Sequence, residues 1–199
     1  MRSATPVPRT KPATVRREEL LSAAQRLFLE QGVAATTIEQ ITQRAQVAKG
    51  TFYLQFASKE ALIEALRERF AAQLLAGVDA AVARAAPGDW PGKLAGWARA
   101  ANAGYLDSMR LHDLLFYAAR PAGGVGMTDN PLIDHLLALL LAGAHARAWR
   151  IDEPRTLAVF LFNGLHGIVE AAAHGREPNR RRAAEQLEQL FFRAVGLSP

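Results

Sequence analysis

Between Thr37 and Leu54 the chain carries two short helix-forming stretches joined by a tight turn, and this pairing limits the available folds more than any other feature. The first stretch begins at Thr37, where Gln40 three residues on completes a capping-box pattern. Ile38, Ile41 and Ala45 form its inner stripe, and Gln46-Val47 breaks it. The second stretch covers about Ala48 to Leu54, roughly two turns of helix. Ahead of both, Thr14 to Glu30 reads as a longer helix. Its Leu20, Leu21, Ala24, Leu27 and Phe28 recur at the spacing of one buried face, and Gly32 closes it as a carboxy-terminal cap. Phe52 and Phe56 read as core plugs beneath the pair. Two short helices so joined make a helix-turn-helix.

Ser58 caps a fourth helix, with Glu60 in its first turn, that extends to about Ala86, where Pro87-Gly88 stops it. Five more helices follow: Asp89–Met109, Leu111–Ala119, Asn130–Ile151, Glu153–His174 and Asn179–Val195. No period-2 alternation is long enough for a strand, so the class is all-α, with about nine helices. Three parts are expected: a flexible basic arm over 1–13, a three-helix domain with the helix-turn-helix over 14–60, and a larger helical domain over 61–199. Pro121 to Asn130, with three glycines, reads as a mobile loop.

The net charge of +5 is confined to the first third of the chain. Residues 1–59 hold nine Lys or Arg against four acids, and residues 60–199 hold fifteen of each. Positive charge gathered in one small region is the footprint of a polyanion-binding module, and equally of a solvated basic surface; charge alone leaves both open. There is no cysteine, which excludes disulfides and thiolate metal sites. The five histidines show no i, i+4 pair, so no metal site is expected. No phosphate-binding glycine loop or nucleophile elbow appears, and neither an enzyme nor a cofactor is expected. The most apolar run noted, Leu132 to Ala144, contains Asp134 and His135, so no membrane span is expected and the protein reads as cytoplasmic.

The ordered series Gly32, Thr36, Thr37, Ile41, Ala45, Val47, Gly50, Thr51, Phe52, Tyr53, Phe56, Ser58, Lys59, Glu60, Ala61, Leu62 closely resembles the tetracycline-repressor (TetR) family. The resemblance covers about a quarter of the chain. It implies a recognition helix in the major groove, with its first residues on base edges. Ala48, Lys49 and Thr51 would lie at base edges, and Gly50 would let the backbone approach. Thr37, Tyr53 and Lys59 would meet phosphates, which position a protein while base contacts specify sequence. Gln55 either adds a contact or is solvated. Arg9 and Lys11, with Arg16 and Arg17 beyond them, either give a second, weaker route to DNA or belong to a solvated tail. Three positions depart from the family pattern. Gln46 replaces a usual Gly, at a cost of about 1 kcal/mol if the turn requires positive φ. Ala48 replaces a frequent capping Ser, and Leu54-Gln55 replaces a frequent pair of aromatic or His residues.

The resemblance further implies that 14–60 is the DNA-binding domain and 61–199 the ligand-binding and dimerisation domain, in a homodimer whose last two helices pair across a two-fold. Leu157, Leu161, Gly164, Leu165, Ile168, Leu187, Leu190 and Phe191 are the expected interface. A pocket among the middle helices would be lined from Trp90, Trp97, Tyr105, Met109, His112, Phe116, Tyr117, Trp149, Phe162 and His166, which suits an apolar or aromatic small molecule with one or two polar anchors. The function expected is a repressor of a palindromic double-stranded DNA operator, released by that ligand. The competing reading is a helical scaffold whose basic motif serves another polyanion.

Overall fold

The computed structural model describes residues 12–116, 130–174 and 180–198. Among them the secondary structure is entirely helical: α1 (Ala13–Gln31), α2 (Ile38–Arg44), α3 (Lys49–Gln55), α4 (Lys59–Ala83), α5 (Trp90–Phe116), α6 (Pro131–His145), α7 (Pro154–His174) and α8 (Arg180–Ala194). These are eight helices where about nine are expected, because α5 runs unbroken through Arg110. Arginine is a good helix former, and Tyr105, Leu106, Leu111, His112 and Leu115 stay buried on both sides of it. Most of the expected basic arm and of the Pro121–Asn130 loop, and Tyr117, lie outside the described residues.

The helices gather in two compact units. The first comprises the described residues of Met1–Arg67 with those of Leu114–Ala119. Here α1 packs on α2 and α3. Seven-residue helices are too short to persist alone, so α2 and α3 depend on this packing. Leu20, Phe28, Ile41, Phe52 and Leu62 are fully buried and fill the centre. The buried Arg67 guanidinium donates from Nε and Nη2 to the Leu115 carbonyl at 3.0 and 2.8 Å, and lies 5.6 Å from the Phe116 ring centroid. A cation there complements the negative carboxy-terminal end of α5.

The second unit comprises the described residues of Glu68–Asp113 and Arg120–Pro199. In it α7 packs against both α6 and α8. Trp97 is fully buried, stacks on Phe191 with centroids 5.7 Å apart, and donates from Nε1 to His135 Nδ1 at 3.1 Å. Asn130 caps α6 by accepting from Leu132 N, with Pro131 beginning the helix. α6 ends at His145, six residues before Ile151, because Arg147 turns left-handed at φ 62°. Arg147 N and Ala148 N then bond back to the Ala144 and Gly143 carbonyls, a Schellman closure. Trp149 folds back over α6 and donates to the Leu140 carbonyl at 2.9 Å. By length and composition, Pro154–Ala173 of α7 is apolar enough to cross a membrane, with mean hydropathy 1.4, a stretch the sequence reading passes over. One face of it is buried here, through Ala158, Leu161, Phe162, Leu165 and Val169.

Gly143 is the tightest point of that α6 corner. A Cβ there would sit 2.0 Å from Cζ2 of the buried Trp149 ring. Overpacking of this kind costs about 1–3 kcal/mol. Gly143→Ala is expected to lower the unfolding free energy by that amount in chemical denaturation, while Gly167→Ala, which has open space around its Cβ, is expected not to show that overpacking loss.

Candidate nucleic-acid interface

The short helices are positioned by hydrogen bonds that begin at the end of α1. Gln31 Nε2 donates to the Ala35 carbonyl at 3.1 Å and to Gln40 Oε1 at 3.0 Å. Gln40 Oε1 also accepts from Thr37 N at 2.8 Å, and Thr37 Oγ1 accepts from Gln40 N at 3.2 Å. The capping box read from the sequence is therefore present, and it also ties α2 to α1. Arg44 adds a bidentate pair to Glu30, with both contacts at 2.9 Å, across the exposed side of the two helices. This pair holds the Glu30 carboxyl below its ordinary pKa.

The turn from α2 to α3 needs a left-handed residue, and Gln46 provides it at φ 56°. Gln46 N bonds to the Gln43 carbonyl and Val47 N to the Thr42 carbonyl, so α2 ends in a Schellman motif. Glycine fills such a position without the Cβ penalty, which is the physical content of the departure noted at this site.

Ala48 caps α3 without a side-chain bond. From there the spacing of about 100° per residue fixes every direction. Phe52 and Phe56 point inward and are 0% and 4% exposed. Arg17 lies over the Phe56 ring at 4.5 Å. On the opposite side stand Gly50 and Leu54, the latter 81% exposed, and Tyr53, 53% exposed, stands at the edge next to them. Thr51 and Gln55 are half-buried at the flanks. A Cβ on Gly50 would meet nothing within 4 Å, so no internal contact requires glycine there. Tyr53 is braced edge-on by Phe52, centroids 5.5 Å apart.

Two lysines have partners that the sequence does not reveal. Lys49 pairs with Glu39 of α2. The hydrogen bond raises the lysine pKa and lowers that of the carboxylate, and both groups are solvent-exposed. Lys59, assigned above to a phosphate, donates to the Val33 and Thr36 carbonyls at 3.0 Å each. Its ammonium clamps the α1–α2 connection, leaving one of three donors to face outward.

The residues expected to line a pocket divide into separate groups. Tyr105, His112, Phe162 and His166 come together with Phe70 in the second unit. His166 stands 4.3 Å from Tyr105, 4.8 Å from Phe162 and 5.5 Å from His112, between centroids. Phe70 packs on Tyr105 and His112. Burial, with His112 alongside, pushes the His166 pKa down to about 4, and burial lowers that of His112 against the pull of Asp113. Burial raises the Tyr105 hydroxyl. Asn102, on the same side of α5 as Tyr105, has its Oδ1 buried without a hydrogen-bond partner among the described residues. Trp90 instead packs edge-on against Trp149, Trp97 stacks on Phe191, and Phe116 lies with Arg67 in the first unit. Met109 is half-buried.

The residues expected at a dimer interface also divide. Leu161, Leu165, Leu187 and Phe191 are 4% exposed or less and fill the second unit's own core. Leu157 and Ile168 are half-buried, and Gly164 and Leu190 are exposed. The sequence reading omits Phe160, which is 69% exposed. Its spacing to Gly164 and Gly167, i, i+4 and i+7, is the signal that could have found it.

Helices α1 to α3 form a helix-turn-helix, an architecture that presents its second short helix to a DNA groove. Residues 20–66 match the sequence profile described as bacterial regulatory proteins, tetR family. The chain is 46% identical over 48 residues to the HTH-type transcriptional regulator YerO of Bacillus subtilis, a match spanning 24% of this chain and 17% of that protein. It is 42% identical over 55 residues to the HTH-type transcriptional repressor KstR2 of Mycobacterium tuberculosis, spanning 28% of each chain. The similarity thus covers well under two-thirds of these relatives' own length. In fold it is similar to a tetR-family regulatory protein from Rhodococcus RHA1, with a TM-score of 0.67, 19% identity, and coverage of 96% of this chain and 100% of that one.

Gln46→Gly is expected to raise the unfolding free energy by up to about 1 kcal/mol, because it relieves the left-handed turn; unchanged or lower stability would contradict a strained Gln46. The buried histidine gives a pH dependence. His166 titrates near 4 when folded and near 6.5 in an unfolded chain, so the unfolded state binds more protons between those values. Stability is therefore full above about pH 6.5 and declines as pH falls, by about 3 kcal/mol at pH 4 from this residue. Denaturant unfolding at pH 7, 5 and 4 should show a shallower acid decline in His166→Gln.

Proposed function

We propose that the chain is a cytoplasmic, homodimeric transcriptional regulator that binds a palindromic DNA operator and is released from it by a small molecule. The observation that carries the reading is the orientation of α3. Phe52 and Phe56 are locked inward, so Gly50 and Leu54 face outward, with the exposed Tyr53 and Lys49 beside them, on a segment that matches the tetR-family profile. Tyr53 would offer its hydroxyl to a phosphate, and Thr37 lies at the start of α2 for another. Lys49 would exchange Glu39 for a phosphate or a guanine edge, since the carboxylate occupies the ammonium much as DNA would. The matched relatives are named as regulators, and KstR2 as a repressor, which supports repression over catalysis.

Dimerisation would use the side of α7 and α8 that the second unit leaves uncovered: Phe160, Gly164 and Leu190, with Leu157 and Ile168 at its margin. Two recognition helices related by a two-fold would then enter successive major grooves about 34–36 Å apart. The ligand reading rests on the Tyr105, His112, Phe162 and His166 cluster. Its rings would take an apolar or aromatic molecule, and its two imidazoles, neutral at pH 7, would serve as polar anchors. A ligand that favours the DNA-incompetent arrangement by about 1–3 kcal/mol would weaken operator binding about 5- to 150-fold.

The test is selection of duplexes from a random library with the full-length protein, followed by salt-titrated binding. A preferred palindromic site should emerge. Tyr53→Phe should weaken both selected and random duplexes, by about 10-fold, the worth of one charge-assisted hydrogen bond. Lys49→Ala should change which sequence is preferred. Equal affinity for selected and random duplexes would favour a general polyanion-binding surface instead.

A further inference from the structure

Leu54 is the most exposed large apolar side chain among the described residues, at 81%. It is not a stray surface residue, because its direction is fixed. Phe52 and Phe56 both point into the core, and at 100° per residue Leu54 lies opposite them. Gly50, one turn earlier on the same ridge, carries no side chain, and a Cβ there would meet nothing within 4 Å. The outermost line of α3 is therefore a gap followed by a branched apolar tip. Tyr53 stands beside it, and the Lys49–Glu39 pair lies at the start of the helix. A phosphate contact has no use for an isobutyl group. The apolar feature that a duplex presents in its major groove is the C5 methyl of thymine.

We propose that Leu54 is a specificity-determining residue that reads thymine in each half-site by packing on that methyl. The inference rests on the DNA-binding reading above and adds a base identity to it. Gly50 lets the helix axis come close, and Leu54 then reaches the base edges ahead of its neighbours. Cytosine at that place would leave the leucine against a polar amino group.

The experiment uses the full-length protein and the duplex it selects from a random library. Each thymine is replaced in turn by deoxyuridine, which removes the methyl and keeps every hydrogen-bonding group. Wild-type protein should lose about 4-fold in affinity at one thymine per half-site, the worth of one methyl withdrawn from water (~0.8 kcal/mol). Leu54→Ala should bind more weakly and show no further loss on the uridine duplex. As Leu54 contributes to no core, that variant should unfold at the wild-type midpoint. Binding that ignores every uridine, or an equal uridine loss in Leu54→Ala, overturns this inference alone. Failure to enrich any duplex overturns the DNA-binding reading and this inference with it. Self-association abolished by Leu54→Ala would assign the leucine to a second copy of the chain instead.

Discussion

A seven-residue helix has too few hydrogen bonds to persist in water, so everything at the candidate interface depends on two phenylalanines. Phe52 and Phe56 are held in the first unit's core beside Phe28, Ile41 and Leu62. That burial both forms α3 and fixes its rotation about its own axis. Once the inward face is set, the outward face has no freedom left. The Gln46 turn and the Thr37–Gln40 capping box set where the helix starts, and the Lys59 clamp on the Val33 and Thr36 carbonyls holds the connection behind it. The apparatus is short-range and polar at its edges, but its stability comes from apolar contacts.

Much of this was legible in the chain because the signals are local. A Thr with a Gln three residues on announces a cap. Leu20, Leu21, Ala24, Leu27 and Phe28 announce one buried face, and all five are buried. The strain expected at Gln46 follows from a turn that is itself a local pattern. What the sequence hid is non-local. The partners of Lys59 lie 23 and 26 residues away, and no spacing rule links them. Glu39 and Lys49 are ten residues apart across a turn whose angle had to be known first. An apolar stripe says that a face is buried, not what buries it. For that reason Leu161, Leu165, Leu187 and Phe191 were as compatible with a partner chain as with the core of their own unit.

The second unit shows the same division between pattern and partner. Aromatic residues scattered over α5, the α6–α7 connection and α7 could not be sorted by sequence into pocket and core. The structure sorts them by contact: Trp97 stacks on Phe191, Trp149 seals the α6 corner over Gly143, and Tyr105, His112, Phe162 and His166 gather with Phe70. The last group differs in kind. It places two histidines side by side where burial favours their neutral forms, and a buried amide oxygen on Asn102 lacks a partner among the described residues. Polar groups left uncharged or unsatisfied in a core lower stability. A ligand that met them would recover part of that loss, which is why the ligand site is proposed there.

The most direct measurement of the central claim is chemical protection of the selected duplex by the bound protein, read at guanine N7, which lines the major groove. The account predicts that the protein shields two blocks of guanine N7 positions about one helical turn apart, while minor-groove adenine N3 positions between them stay reactive. A bound complex that leaves guanine N7 fully reactive, or shields only the minor groove, would contradict the placement of α3 against base edges.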